Sequence, residues 1–315
     1  MPNEEGHNPA PRVGVLIPTY NRAGTLGDAL RSVLEQTWTD FEVLVVDDGS
    51  TDRTEDVVRS FNDPRVRYVR LSKQHGAGGA RNAGLTMMRN EWIAFQDSDD
   101  TWMPDKLEKQ MALAAAMQPA PDVVYCRCLR RMSGQARIFP PRSVKETSGR
   151  LFDRMLTGNL ISTQTALVRR TCFERWGLFD ESMPPLEDWE YFLRLSRHVV
   201  IGMVDEVLVD APFSTDSVSL MHERYARGFI RLLELYAADY ASRPALLARH
   251  HGTIADRLYW AGLREEGRRH YAQAFRLNPR HAGHAMGWLL SWCPPLYRMA
   301  SRQRRSAQAR RSASS

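Results

Sequence analysis

The stretch VGVLIPTYNRAGTLGDALRSVLEQTWTDFEVLVVDDGSTD occupies residues 13–52 and decides the fold class of the chain. Its apolar runs predict buried strands over 12–18 and 41–47, and apolar residues at helical spacing predict a helix over 25–36. Neither strand alternates polar with apolar residues, so both faces of each strand are expected to be buried. That pattern is typical of a parallel sheet covered by helices.

The alternation of strands and helices continues beyond residue 52. Asp52 followed by Glu55 is a capping-box pattern that opens a helix, and Pro104 suits the first position of a later helix. The predicted helices cover 52–61, 78–89 and 104–117, and the predicted strands cover 66–71, 92–96 and 122–128. The fold class is therefore α/β, with a mostly parallel sheet covered by helices, and ligands are expected beyond the carboxyl ends of the strands.

After residue 137 the pattern loosens and then becomes helical. The sequence predicts a helix at 149–156, a strand at 165–169, a helix at 187–197 and short strands at 199–204 and 207–210. Beyond Asp216 it predicts helices alone, at 221–241, 244–265, 267–277 and 280–292. We therefore expect a disordered lead at 1–11, an α/β domain at 12–216, a helical C-terminal region at 217–297 and a basic disordered tail at 298–315.

Composition and charge exclude several classes of protein. The chain has 315 residues, of which 43% are hydrophobic and 25% charged, as is ordinary for a globular protein. The net charge is +6, and the segment 298–315 contains six arginines and no acid, so the body is neutral and is not a nucleic-acid binder. The four cysteines form no CxxC pair, the N-terminus lacks a signal-peptide pattern, and no run of about 18 apolar residues exists. These features indicate a cytoplasmic protein.

Three carboxylates follow the predicted strand 92–96, in the segment Asp97-Ser98-Asp99-Asp100. Carboxylates this close repel one another, and a divalent cation offsets the repulsion. Mg²⁺ or Mn²⁺ typically takes one or two carboxylates together with substrate phosphates. The alternative is a solvated acidic turn ahead of the helix that Pro104 opens.

Asp47 and Asp48 end the second predicted strand. An ionised carboxylate only accepts hydrogen bonds, which suits the donor groups of a nucleotide base or a ribose. Asp48 is therefore a candidate binding residue. Turn chemistry is the alternative for this segment, and we interpret Asp52 as a cap.

The segment HGAGGARN occupies residues 75–82 and is not a dinucleotide-binding fingerprint, because the third glycine of GxGxxG would fall at Arg81. Arg81 is predicted in the first turn of a helix, where a cation opposes the helix macrodipole. A diphosphate or the acids of the next strand end would offset that cost. The alternative is a surface arginine that pairs with Asp97.

Glu187 and Asp188 open an amphipathic helix in the segment EDWEYFLRL. A general base that activates an acceptor hydroxyl has to be a carboxylate or a histidine within reach of the proton. Acids are also favoured in the first turn of any helix. Spacing alone leaves both interpretations open.

Taken together, these segments resemble glycosyltransferase family 2, a large inverting family of GT-A fold. The resemblance covers roughly residues 12–210 and is carried by four motifs in order: the stretch quoted first, GAGGARNAGL, WIAFQDSDDTWMPDKLEKQ and EDWEYFLRL. It implies that Pro18, Thr19 and Tyr20 line the nucleotide base and that Asp48 holds it. Arg81 and Asp97 would then contact the donor, Asp99 would bind the metal, and Asp188 would be the catalytic base. Secondary candidates in the same segments are Glu187, Asp100 and Asn82.

The resemblance also implies a reaction and its partners. The expected enzyme is an inverting hexosyltransferase that moves one sugar from a nucleotide-diphosphate sugar, a UDP-sugar above all, to a glycan or lipid-linked acceptor with Mn²⁺ or Mg²⁺. The QxxRW motif of processive members is absent. Cell-surface polysaccharide or glycolipid synthesis is the expected setting. One alternative is a sugar nucleotidylyltransferase, which needs a Gly-rich basic loop where PTYNR stands at 18–22. The other is a non-catalytic nucleotide-sugar-binding module, which would be expected to lose Asp99 or Asp188.

The segment 288–311 adds one further expectation. It joins an aromatic-rich apolar stretch to the six arginines, which suits peripheral contact with an anionic membrane at the inner face of the cytoplasmic membrane. The alternative, of equal weight, is that the aromatics pack on the protein and the arginines are solvated.

Overall fold

The computed structural model describes residues 12–132, 135–183, 185–212, 222–293, 295–297 and 299–300. The predicted disordered lead at 1–11 lies outside these residues. So do the predicted boundary near Asp216 and all of the predicted tail 298–315 except residues 299 and 300. The predicted domain limits therefore stay predictions.

The first two thirds of the described chain alternates strands with helices. The strands are β1 Val13–Thr19, β2 Phe41–Asp47, β3 Val66–Arg70, β4 Trp92–Phe95, β5 Thr101–Trp102, β6 Val123–Met132, β7 Gln135–Phe139, β8 Ala166–Arg169 and β9 Ile201–Pro212. The helices are α1 Leu26–Leu34, α2 Thr54–Ser60, α3 Gly76–Met87, α4 Lys106–Ala116, α5 Phe152–Leu156, α6 Arg170–Trp176 and α7 Glu187–Ser196. The later helices are α8 His222–Leu235, α9 Ala237–Ala241, α10 Pro244–Trp260, α11 Arg264–Leu277 and α12 Ala282–Leu290.

One sheet runs in the order β3-β2-β1-β4-β8-β6-β9-β5, with β7 paired to β6. The strands β3, β2, β1 and β4 are mutually parallel. Beyond them the sheet is mixed, because β8 is antiparallel to both β4 and β6 while β6 and β9 are parallel. The α/β class predicted from the sequence is confirmed, and the parallel block β3-β2-β1-β4 brings the ends of four strands to one edge.

The sheet and its helices pack through the apolar positions that the sequence pattern marked. All seven residues of β1 are buried. α1 buries Leu26, Ala29, Leu30 and Val33, which recur at the spacing of one helix face. α3 packs so closely on β1 that a Cβ atom at Gly84 would lie 2.3 Å from Leu16 Cδ1. A larger residue at 84 would therefore push α3 away from the sheet.

Several element limits differ from the predicted ones. α4 begins at Lys106, not at Pro104, because the backbone N–H of Lys106 bonds to Met103 O in a turn that comes first. The two short strands predicted at 199–204 and 207–210 form the single strand β9. β5, β7 and α6 were not predicted. β5 has only two residues and exists because it pairs with β9, a contact that local periodicity does not encode.

The described residues group into two compact units. The first contains the sheet and consists of residues up to Glu181 together with those from Tyr191 onward to 212. The second consists of Ser182–Glu190 and the helices from α8 on, so the first turn of α7 belongs to it. The predicted helices 244–265 and 267–277 are present as α10 and α11, but the break between them comes earlier, at Gly262 with φ +89°. The predicted helix 221–241 is two helices, α8 and α9. Among the described residues, none of the helices combines the length and the apolar character needed to cross a bilayer.

Candidate active site

The loop after β1 is fastened by the segment that follows β2. The backbone N–H of Asn21 donates to Ser50 Oγ at 2.8 Å, and that of Ala23 donates to Asp52 Oδ2 at 3.0 Å. In return, the N–H of Thr51 donates to Asn21 Oδ1 at 2.8 Å. We interpreted Asp52 from the sequence only as a helix cap. Its carboxylate also joins the loop after β1 to the loop after β2.

Asp47 lies beneath this edge and is fully buried. Its Oδ1 accepts the N–H and the hydroxyl of Ser50, at 2.8 and 2.6 Å, and its Oδ2 accepts the hydroxyl of Tyr68 at 2.5 Å. Burial, and then the bond to Asp47, raises the pKa of the Tyr68 phenol. Tyr68 therefore stays a hydrogen-bond donor at neutral pH. Asp47 stabilises the ends of β2 and β3 and does not face the cleft.

Asp48, the predicted base-binding residue, supports the start of α3. Its Oδ1 accepts the N–H of His75 and its Oδ2 accepts the N–H of Gly76, both at 2.7 Å. The first N–H groups of a helix lack partners within the helix, so the carboxylate satisfies two of them. A carboxylate oxygen has two lone-pair sites, and each oxygen of Asp48 retains capacity for a ligand.

A cleft of about 490 Å³ opens at this edge of the sheet. It is lined by the last residue of β3 and by loop residues that follow β1, β2 and β3, namely Tyr20, Asp48, Gly49, Arg70, Leu71, Ser72, Lys73 and Gln74. Its volume falls in the range of small-molecule sites. Of the three predicted base-lining residues, only Tyr20 reaches the cleft, because Pro18 and Thr19 are buried at the end of β1.

The run Arg70–Gln74 lines the cleft but was not a predicted site. It carries no motif, and its position follows from the pairing of β3 beside β2. Arg70 donates to Ser50 O at 2.6 Å, so its guanidinium is held at the cleft wall. The sequence signal that could have indicated this site is the pair of basic residues, Arg70 and Lys73, at the end of β3.

Arg81 is buried and forms an ion pair with Asp97, Nη2 to Oδ1 at 3.0 Å. The predicted pairing is thus present, but the arginine is not a surface residue. α3 begins at Gly76, so Arg81 lies in the second turn and not in the first. Macrodipole effects fade beyond the first turn, and the charge of Arg81 is therefore offset by Asp97 itself.

Asn82, a secondary candidate, holds a neighbouring loop. Its Nδ2 donates to Phe179 O and to Glu181 Oε1, both at 2.9 Å, and its Oδ1 accepts the N–H of Phe179 at 3.0 Å. Three hydrogen bonds from one buried amide fix the segment 179–181 against α3. In this structure Asn82 therefore positions the segment 179–181.

The acids after β4 lie in a partly buried loop. Asp99 Oδ2 is 3.6 Å from Arg22 Nη2, and burial followed by the charge of Asp97 raises the pKa of Asp99. Asp100 is almost fully buried, and burial with the charges of Asp97 and Asp99 raises its pKa further. The repulsion expected among these three acids therefore favours the protonated form of Asp100, while Asp97 and Asp99 lie beside Arg81 and Arg22.

The chemistry of this loop fits a divalent cation. Positive charge placed at Asp99 would offset both the burial and the repulsion from Asp97. Among the residues described here, no three His, Cys, Asp or Glu side chains form a group that could hold a metal ion. Asp99 with Asp97 instead fits the kind of site that takes one or two carboxylates and is completed by substrate phosphates.

Glu187 and Asp188 lie at the start of α7, as the helix prediction placed them. Both residues belong to the second unit. The residue before them, Leu186, has φ +109°, which is a strained conformation for a leucine. The helix start is held by Trp189, which is 2% exposed and packs edge-on against Phe229 at 5.1 Å. The backbone N–H of Trp189 donates to Asp188 Oδ1 at 2.6 Å, so this carboxylate contacts the first turn of its own helix.

These features define the class: an α/β protein with a loop-lined cleft and an acidic loop at the carboxyl edge of a parallel sheet block. The family model described as Glycosyl transferase family 2 matches residues 14–177. The chain belongs to glycosyltransferase family 2, and the protein is a glycosyltransferase.

Relatives in sequence agree with that assignment. An uncharacterized glycosyltransferase of Rickettsia typhi is 29% identical over 236 residues, which are 71% of this chain and 73% of that protein. The Escherichia coli protein WfgD, named as a UDP-Glc:α-D-GlcNAc-diphosphoundecaprenol β-1,3-glucosyltransferase, is 41% identical over 101 residues. That match covers 32% of this chain and 40% of WfgD.

Solved structures share the fold. Staphylococcus aureus TarS 1-349 in complex with UDP-GlcNAc superposes with a TM-score of 0.65 at 20% identity, covering 89% of this chain and 90% of that one. The mannosyltransferase PcManGT of Pyrobaculum calidifontis, in complex with GDP-Man and Mn²⁺, gives a TM-score of 0.58 at 20% identity over 93% and 84% of the two chains. The fold is therefore the GT-A fold.

Proposed function

We propose that this glycosyltransferase moves one hexose from a nucleotide-diphosphate sugar to an acceptor hydroxyl, with inversion at the anomeric carbon and with the help of Mn²⁺ or Mg²⁺. The observation that carries the proposal is the cleft beside Asp48, which lies at the same sheet edge as the Arg81–Asp97 pair and the acidic loop. That edge is where parallel α/β sheets bind ligands.

The cleft is assigned to the nucleoside part of the donor. Tyr20 is 40% exposed at its mouth and offers a ring on which a base can stack. Asp48 accepts hydrogen bonds from the base, while Arg70 and Lys73 supply positive charge. A uridine donor is proposed, in line with the UDP-GlcNAc bound by TarS, and GDP-sugars are the first competitors in view of PcManGT.

Asp99, with Asp97 beside it, is the proposed place of the divalent cation. When bound, such a cation stabilises the negative charge that builds on the leaving diphosphate. Arg81 keeps Asp97 in place through their ion pair. Arg22, whose Nη2 lies 3.6 Å from Asp99 Oδ2, would add to this stabilisation of negative charge.

Asp188 is the proposed general base. It would take the proton from the acceptor hydroxyl as the oxygen attacks the anomeric carbon from the face opposite the diphosphate. The C–O bond to the acceptor forms while the bond to the diphosphate breaks, so a single displacement inverts the configuration. Holding both substrates in place makes the attack effectively unimolecular.

The proposed acceptor is a glycan or a lipid-linked sugar, and the proposed setting is cell-surface polysaccharide or glycolipid synthesis at the inner face of the cytoplasmic membrane. WfgD is named for a diphosphoundecaprenol-linked acceptor, and ExoO of Rhizobium meliloti is named as a succinoglycan biosynthesis protein. A lipid-linked acceptor gives a purpose to peripheral membrane contact through residues 288–311.

The test is a donor screen with the full-length protein. UDP-, GDP- and dTDP-sugars are compared by thermal shift with Mn²⁺, and each stabilising donor is then assayed for release of the nucleoside diphosphate with and without chelator. We expect stabilisation by one base and slow donor hydrolysis that needs the metal. Conversion of a nucleoside triphosphate and a sugar 1-phosphate into a nucleotide sugar would instead show a nucleotidylyltransferase. Donor binding without any turnover would show a binding module.

A further inference from the structure

The helix α12 and the turns that follow it expose a run of large apolar side chains. Their exposed fractions are high: 62% for Leu289 and Trp292, 57% for Met299, 55% for Met286, 47% for Leu296 and 38% for Trp288. We call these six residues the outer apolar face. Single apolar side chains on a surface are ordinary, but a group close together along one short segment marks an interaction site.

The other side of the same segment is buried within the second unit. His284, Gly287 and Ser291 are buried and recur at helical spacing, on the side opposite Met286 and Leu289. A Cβ atom at Gly287 would lie 2.3 Å from the ring of Tyr271, so α12 is pressed against α11. The segment is thus amphipathic and already packed on one side, and only its outer apolar face lacks cover.

The end of the segment is anchored by polar contacts. The hydroxyl of Tyr297, which is fully buried, and that of Tyr271 both donate to Asp256 Oδ1, the second at 2.6 Å. Burial, and then the charge of Asp256, raises the pKa of Tyr271, so this phenol stays protonated and keeps donating. Leu296 and Met299 flank the anchor, which therefore holds the outer apolar face in a fixed place.

Two tryptophans give the face an amphipathic character. The rings of Trp288 and Trp292 meet edge-to-face with centroids 6.3 Å apart. The guanidinium of Arg268 lies over the Trp292 ring, 4.4 Å from its centroid. Tryptophan is enriched where hydrocarbon meets lipid headgroups, and an arginine beside it can reach the phosphates.

The aspartate-free and glutamate-free sequence after Glu266 is basic. After Glu266 the sequence has ten arginines and no aspartate or glutamate through to residue 315. Of these, Arg269, Arg276 and Arg280 are exposed on the described helices and turns. A surface of this kind attracts anionic lipid, and it repels a second copy of itself.

We infer that the outer apolar face is a lipid-docking surface for an anionic bilayer. Its six side chains lie in the headgroup boundary, and the exposed Arg276 and Arg280 pair with lipid phosphates. The inference builds on the membrane contact in the proposed function but does not depend on the identity of the donor or acceptor. Tyr297, which the sequence grouped with the membrane-facing aromatics, is excluded from the docking surface because it is fully buried.

The first experiment measures vesicle binding by sedimentation with the full-length protein. Vesicles of phosphatidylglycerol and phosphatidylethanolamine are compared with pure phosphatidylcholine at low and high salt. We expect binding to the anionic vesicles at low salt, and a loss of about tenfold or more at high salt because screening weakens the arginine contacts. The L289E/W292E variant should lose about tenfold or more, since it places charge where lipid chains would lie.

The matched control is Leu235→Glu, which changes another exposed leucine of the second unit, at the end of α8. It should bind vesicles like the unmodified protein. A second variant, R276S/R280S, changes no residue of the outer apolar face and should also weaken binding to anionic vesicles. Thermal unfolding of each variant identifies any loss of folding.

Three outcomes would overturn the inference. They are no binding of the unmodified protein to anionic vesicles at low salt, unchanged binding by L289E/W292E, and an equal loss in L235E. A stable dimer that L289E/W292E dissociates, without vesicle binding, would show that a second copy covers the face. Transfer to a water-soluble acceptor analogue should be unchanged in all variants, so failure of docking and failure of the proposed reaction remain separate results.

Discussion

Arg81 and Asp97 are sixteen positions apart in the sequence and form an ion pair, with Nη2 3.0 Å from Oδ1. The Arg81 side chain is 6% exposed, whereas the Asp97 side chain is 29% exposed. The pair therefore joins the buried interior of α3 to the acidic loop after β4. Through it, a change in one predicted donor-binding residue is expected to alter the other.

Arg81→Gln should weaken binding of the nucleotide-sugar donor. The change removes a cation near the diphosphate and leaves Asp97 without this partner, and hydrogen bonds to charged groups contribute about 1.5–3 kcal/mol. We expect a loss in affinity of roughly 10- to 100-fold, measured by calorimetry with Mn²⁺ present. In R81Q/D97N the two changes should cost less than their sum, because the second removes the carboxylate that the first leaves behind. Strictly additive losses would contradict the coupling.

Asp99→Asn should abolish most metal-dependent transfer without lowering stability. Burial and Asp97 raise the pKa of Asp99, so its charged form is disfavoured in the folded protein and a neutral side chain is tolerated. We expect kcat to fall by about 10²–10³, the range for removing a group that stabilises charge in the transition state. Asp105→Asn, which affects only the exposed pair with Lys109, is the control. Full activity of D99N, or of the chelated enzyme, would rule out the metal assignment.

Asp188→Asn should lower kcat by about 10²–10⁴, as is usual when a general base is lost. The neighbouring Glu187→Gln is a closely matched control, because it removes one negative charge from the same helix turn. Transfer rates at saturating donor, together with donor affinity, distinguish the two roles. If both variants lose activity equally, the acids act through the helix start and not through proton transfer.

Asp48→Asn should weaken binding of UDP and of the donor together. The carboxylate that is proposed to hold the base also caps α3 through the N–H groups of His75 and Gly76. We therefore expect roughly a tenfold loss of nucleotide affinity, with a stability loss of about 1 kcal/mol. Asp63→Asn, in the turn before β3, should affect stability alone. If calorimetry shows unchanged UDP affinity, Asp48 does not bind the base and only caps α3.

The second unit should lose stability as the pH falls below about 6.5. His251 and His270 face each other with Nδ1 atoms 2.9 Å apart. Burial, then the charges of His270 and His250, lowers the pKa of His251 to about 4, and burial also lowers that of His270. The unfolded chain therefore binds more protons than the folded one between pH 6.5 and 4, so the stability present at pH 7 is lost through that window.

The measurement for this prediction is urea unfolding at pH 7.5 and at pH 5, compared between the unmodified protein and H251Q/H270Q. The unmodified protein should show the larger decrease on acidification. His198→Gln is the control. Burial also lowers the pKa of His198, but this residue belongs to the first unit. If the free energy of unfolding depends on pH identically in all three proteins, the His251–His270 pair does not contribute to the loss of stability in acid.

The sequence was sufficient for elements whose signal is local. The apolar runs of β1 and β2 and the periodicity of α1 predicted those elements to within two residues at their ends, because burial on both faces or on one face leaves a direct pattern in the chain. It was not sufficient for β5 or for the true start of α4. Those limits depend on a pairing with β9 and on a turn at Met103, neither of which has a periodic signal.

The candidate site shows the same division. Position after predicted strands, residue chemistry and the order of the motifs drew attention to Asp48, Arg81 and the acids after β4. The structure places Asp48 after β2 and these acids after β4, in the parallel block, with Arg81 paired to Asp97. Arg70 and Lys73 were not predicted, since the end of β3 and the loop after it carry no motif and reach the cleft only because β3 pairs beside β2. The hydrogen bonds of Asn82 to residues 179–181 were equally invisible, because they join segments about a hundred positions apart.

The sequence by itself determined the α/β class, the family, and the residue types that a nucleotide-sugar site requires, since these depend on local pattern and on motif order. Only the tertiary structure decided which carboxylate pairs with Arg81, that Asp48 is already bonded to α3, and which aromatic residues near the C-terminus are covered. Leu296 and Tyr297 are adjacent in the chain, yet one is exposed and the other is sealed against Tyr271 and Asp256. The physical reason is that such contacts depend on which distant segments are brought together, and strand register and helix packing set those positions.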